Sequence, residues 1–169
     1  MTSTKKGSDF ARQHPKDERA YDKRNEDSYQ SKGKYQEPSV CTGCGAIFKK
    51  GHWSWGVAEA NAHKHICPAC QRIHDRVPAG VLTISGDFFP QHQQEILNLI
   101  HNTEAKEKSQ HPLQRIMNLS MEEDGVTTIT LTDFHITKAI VDAMQHAYQG
   151  DSEVHFADKD NVMRANWKR

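Results

Sequence analysis

Four cysteines stand in two pairs, Cys41-Thr42-Gly43-Cys44 and Cys67-Pro68-Ala69-Cys70, and the chain has no others. Each pair lets two thiolates from one tight turn reach a common ion, and two such turns close a tetrahedral shell. The 22 residues between the pairs slightly exceed the usual spacer and still suit two facing knuckles. Gly43 and Gly45 bracket the second thiolate of the first knuckle, where a turn wrapped round a metal often needs positive φ. Pro68 stiffens the second knuckle. The spacing predicts zinc held by Cys41, Cys44, Cys67 and Cys70. Disulfides are the competing reading, and the N-terminus, which lacks an apolar leader, argues against them. A redox role for either pair is a further alternative, although thioredoxin-like motifs come singly in a βαβ context.

A shell of four thiolates is chemically closed. Catalytic zinc keeps a position open for water or substrate and is usually held by three protein ligands. The expected role is structural, with the ion replacing the core that about 40 residues cannot build alone. Such an ion contributes roughly 10–16 kcal/mol at neutral pH in small fingers, comparable with a whole domain's stability.

No stretch approaches about 18 consecutive apolar residues, so no membrane span is expected, and reduced thiols suit a cytoplasmic chain. A mean hydropathy of −0.82 with 36% hydrophobic residues is low for a compact fold and implies that part of the chain stays unfolded. The net charge of zero hides an asymmetry. Residues 1–80 carry 14 Lys and Arg against 9 Asp and Glu, whereas residues 81–169 carry 8 against 13. A positive front half favours a polyanion partner, and the acidic back half would face away from it or meet a protein.

Residues 1–37 read as a disordered, mixed-charge tail, too poor in aliphatic groups to offset their ordering entropy. Residues 38–78 read as the zinc finger. Ala46 to Trp55 suggests a hairpin around a Lys49-Lys50-Gly51 turn, and Gln71 to Arg76 looks helical before Pro78. Knuckle, hairpin, then a helix opened by the second cysteine pair is the treble-clef order; a zinc ribbon, with a second hairpin there, is the alternative. Lys49, Lys50, Lys64, Arg72 and Arg76, with His52, make this module basic, and together with Trp53 they are the expected nucleic-acid contacts. Trp53 and Trp55 share parity and either stack on a base or pack in the finger core. His63 and His65 have the chemistry to replace a ligand, but four thiolates leave no need for them.

Residues 79–169 read as an α+β domain. Apolar stripes predict a helix from about Phe88 to Lys108, capped by Asp87, and a second one after Asp133 that carries Ile136, Ala139, Ile140, Ala143, Met144 and Ala147. Strands are expected around Val81 to Ser85, Leu113 to Met121, Val126 to Thr132, Val154 to Phe156 and Val162 to Trp167. The order β-α-β-β-α-β plus one strand is the ferredoxin-like pattern, an antiparallel sheet with two helices on one face. No Walker loop, GxSxG elbow, HExxH motif or dinucleotide fingerprint is present, and neither His111 nor His135 stands in a catalytic constellation. The chain is not expected to be an enzyme.

Cys41-x-x-Cys44-Gly45-Ala46, Gly51-x-Trp53-x-Trp55, Cys67-Pro68-Ala69-Cys70-x-Arg72-Ile73 and His111-Pro112-Leu113-x-Arg115-Ile116-Met117, with the Arg164-x-x-Trp167-x-Arg169 ending, form a pattern. It resembles an uncharacterised family of small bacterial four-cysteine zinc-binding proteins. That family is in turn distantly similar to the export adaptor of the large ribosomal subunit. The resemblance implies the four ligands and a partner in the ribosome or ribosomal RNA, met during assembly, stress or dormancy. The rival expectation is a protein–protein adaptor in which zinc is only a scaffold. DNA regulation is less favoured, because no helix carries the basic residues of a major-groove reader.

Overall fold

The computed structural model describes residues 27–29, 35–156 and 161–169. The expected tail of residues 1–37 lies largely outside them. The first small sheet has strands β1 (Ser39–Cys41), β2 (Ile47–Lys49), β3 (His52–Ser54) and β4 (His63–His65), in the order β3-β2-β1-β4. Between β2 and β3 lie only Lys50 (φ 55°) and Gly51 (φ 79°). Two consecutive left-handed residues make the tight turn whose twist matches that of paired strands. The Glu37 carboxylate accepts hydrogen bonds from the Lys50 and Gly51 backbone N–H groups at 2.8 and 2.9 Å, which ties the turn down. Helix α1 (Pro68–Asp75) opens on the second cysteine pair, so a helix and not a second hairpin follows it.

The larger sheet is built from β5 (Gly80–Ser85), β6 (Ile116–Met121), β7 (Thr127–Leu131), β8 (Asp151–Phe156) and β9 (Met163–Lys168). Helices α2 (Phe88–Gln110) and α3 (Phe134–Tyr148) complete the domain, so the described residues form a mixed α and β fold with two sheets and three helices. The core joins Leu82 and Ile84 of β5, Ile129 and Leu131 of β7, and Ala165 and Trp167 of β9 to Phe89, Ile96 and Ile100 of α2. Ile136, Ile140 and Met144 of α3 close it. Period-2 alternation in the strands and the helical stripes supply these contacts directly.

Two expectations need correction. The sheet is not wholly antiparallel: its order is β6-β7-β5-β9-β8, and β9 runs parallel to β5. The reason lies in the two last strands. Met163, Ala165 and Trp167 of β9 bury one whole face, whereas β8 is exposed along nearly its full length. The apolar strand takes the interior position and the polar one the edge. Second, Asp87 does not cap α2 with its side chain. The first N–H of the helix, from Phe88, instead reaches the Arg169 carbonyl at 3.0 Å. Asp133 does cap α3, accepting from His135 N–H at 2.7 Å. No helix among the described residues is long and apolar enough to cross a membrane.

Gly80 begins β5 beside the first turn of α3. A Cβ there would fall 1.9 Å from Thr137 Oγ1 and 3.0 Å from its Cβ, and Thr137 is buried. Gly80→Ala is therefore expected to lower stability by about 1–3 kcal/mol in urea unfolding, the usual cost of overpacking. Combining it with Thr137→Ala should cost less than the sum of the two changes, because one substitution removes the atom the other strikes.

Candidate metal centre and the surface around it

The four sulfurs come from two elements. Cys41 ends β1 and Cys44 lies in the turn behind it, while Cys67 caps α1 and Cys70 sits in its first turn. Their Sγ atoms all lie within 4.8 Å of one another, and Cys44 and Cys67 are 3.8 Å apart. Sulfurs about 2.3 Å from a common ion at tetrahedral angles would be about 3.8 Å apart, so the donor set suits a thiophilic metal. The four cysteines could thus hold a metal ion. Gly45 has the positive φ expected of the knuckle, at 78°. Gly43 does not; it is small for another reason, since a Cβ there would lie 3.0 Å from the Cys70 sulfur.

Backbone N–H groups converge on the sulfurs. Cys67 N–H donates to Cys41 Sγ at 3.2 Å and Cys70 N–H to Cys67 Sγ at 3.4 Å. Burial works against charge on the Cys41 thiol, but backbone hydrogen bonds from Cys67, Gly43 and Cys44 outweigh it and bring the pKa down to about 7. Burial pushes the Cys67 thiol far up, and it also raises that of Cys70. Four desolvated thiols this close cannot ionise together unless a cation offsets their repulsion.

Part of that offset comes from the other module, and the sequence reading missed it. Arg115 is 7% exposed. Its Nη2 donates to Cys44 Sγ at 2.9 Å and its Nη1 to Cys70 Sγ at 3.4 Å, while Nε is fixed by the Pro112 carbonyl at 2.6 Å. Burial disfavours its charge, yet the sulfurs of Cys44 and Cys70 more than restore it. A divalent ion with four thiolates retains two formal negative charges, and this guanidinium cancels one of them. The signal available was an arginine just after His111-Pro112 in an otherwise apolar stretch, but nothing local pointed it at sulfur. Leu113 packs against the finger's core, and Trp55 Nε1 donates to the Lys108 carbonyl at the end of α2, 2.6 Å away. The four-cysteine module and the larger domain thus share a packed seam.

The expected nucleic-acid contacts divide. Lys49 and His52 are direct partners across β2 and β3, and Lys64 lies opposite Val40, itself opposite Ile47. Strand alternation puts all three on one sheet face. Lys49, Lys50, His52 and Lys64 are exposed, and Lys49 pairs with Glu59 at 2.5 Å. Trp53 is on the opposite face, packed with Tyr35 and Phe48 at centroid distances of 5.3 and 5.4 Å. Arg76 is exposed at the C-terminal end of α1. Arg72 is only 6% exposed; it pairs with Asp27, stacks on Tyr29 at 4.3 Å and donates to the Val77 carbonyl. It is therefore an interior link that ties residues 27–29 to the finger, and not a residue offered to phosphate.

Comparison with family models, curated proteins and solved structures finds no match for this chain.

Two outcomes are expected. Cys→Ser at any one of the four positions should abolish stoichiometric binding of one metal ion per chain, read by elemental analysis. Arg115→Met should weaken metal affinity about 10–100-fold in a chelator competition, the range typical of lost outer contacts. The unfolding of the body domain should shift far less.

Proposed function

We propose that this chain is a non-enzymatic zinc protein of the translation apparatus, whose finger meets ribosomal RNA. Zinc in the four-thiolate shell would act as a cross-link, with no position left for substrate. The arrangement of knuckle, two-residue hairpin and helix opened by the second pair supports assignment of the finger to the treble-clef class. The resemblance to small bacterial four-cysteine proteins is part of the same proposal, as is a cytoplasmic location. The observation that carries it is one sheet face on which Lys49, His52 and Lys64 are exposed, with Lys50 in the adjoining turn, beside the four-cysteine cluster. Its contacts would go to the phosphate backbone, which rewards fixed positive charge without reading sequence. The Lys49–Glu59 pair lies in solvent and is easily exchanged for a phosphate partner.

The adaptor reading keeps one specific support. With Arg72 inside and Trp53 packed, the finger offers fewer cations and no stacking tryptophan on the lysine face. A protein partner needs neither.

Co-sedimentation with ribosomes separates the two. Binding should fall steeply between 50 and 200 mM salt, by about three orders of magnitude or more if six or more phosphates are met. Lys50→Glu with Lys64→Glu should remove most of it, while Arg72→Gln should act through stability alone. Retention of a partner after nuclease treatment, unaffected by salt, would favour the adaptor.

A further inference from the structure

The two edges of the large sheet are treated differently. At one edge, β6 shifts register between Ile116 and Asn118, and the Ile116 N–H is taken by the Glu104 carboxylate at 2.8 Å. Bulges and side-chain covers of this kind stop an edge from recruiting another strand. At the other edge, β8 pairs with β9 over six consecutive residues with no shift, and it contains neither proline nor lysine. Asp151, Ser152, Glu153, Val154 and His155 are all exposed, and Val154 is 44% exposed although it lies on the strand face shared with Phe156. An unbroken outer strand with an apolar residue near its centre is a ready template for pairing.

The residues of β8 suit pairing with themselves. If two copies meet antiparallel about a two-fold axis at Val154, Val154 faces its own counterpart and Ser152 faces Phe156 of the second copy. Glu153 then lies directly opposite His155, twice. Within one chain these two groups already share a face, with His155 Nε2 3.7 Å from Glu153 Oε2. Centring the axis on Glu153 would set carboxylate against carboxylate, and centring it on Ser152 would oppose Asp151 and Glu153. Both put like charges in direct opposition, which destabilises an antiparallel pair. The Val154-centred register puts carboxylates opposite imidazoles and keeps the apolar residue at the axis.

We infer that β8 is a homodimer interface, in which two copies join their five-stranded sheets through antiparallel β8 strands centred on Val154. A contact of this kind is isologous and closes on itself, so it yields a dimer and not a filament. It goes beyond the proposed RNA association and does not depend on it.

The test is light scattering of the full, metal-loaded chain across a concentration series, with far-UV circular dichroism to verify folding. A mass rising from 19.2 kDa towards about 38 kDa is expected. Val154→Lys should abolish the dimer, since it sets two ammonium groups together at the axis. His155→Glu should weaken it at least about tenfold by opposing carboxylates across the pair. The exchanged variant Glu153→His with His155→Glu should recover most of the loss, because it rebuilds both pairs in this register alone. A monomer at every concentration would overturn the inference, and so would a dimer indifferent to Val154→Lys. A dimer weakened by His155→Glu but not recovered by the exchange would overturn the register. All of these positions are exposed, so folding should survive each change.

Discussion

Sulfur crowding governs this molecule. Four thiols within 4.8 Å of one another repel as anions, so they can share this site in ionised form only with positive charge in their midst. β1 and α1 have few apolar residues of their own to hold them together. The small cluster beneath them consists of Cys41, Ala46, Cys67 and Ala69, with Trp53 and Leu113 at its margin. The packing of β1 against α1 therefore runs through the four sulfurs themselves.

The body solves a different problem by ordinary means. Its sheet and helices bury a continuous apolar layer, and strand position tracks hydrophobicity: β9 with its buried alternate residues lies inside, and β8 with almost none lies outside. The two modules are not independent. Leu113, Trp55 and Arg115 close a seam in which apolar packing and charge compensation occur together.

Much of this was legible in the chain. Cysteine spacing identified the cluster, and the clean stripe of Ile136, Ile140 and Met144 identified α3, because both signals are local and periodic. Strand order was not legible: placing β9 beside β5 depends on comparing the apolar content of two strands that compete for one position. Arg72 looked like a surface cation because its helix is polar, and its burial comes from Asp27 and Tyr29, far away in sequence. The contact of Arg115 with the sulfurs was hidden for the same reason. Its partners lie 45 and 71 residues upstream, and no short-range rule connects a guanidinium to a thiolate at that distance.

That separation has a practical side. Residues 38–78 hold every cysteine, and by the usual logic of small fingers they would be excised as a transferable cassette. Cut out in this way, the segment keeps its ligands and leaves behind the guanidinium that balances them and the leucine that seals their flank. Grafted onto another protein, it would bind its ion more weakly and turn bare sulfur towards solvent and oxidants.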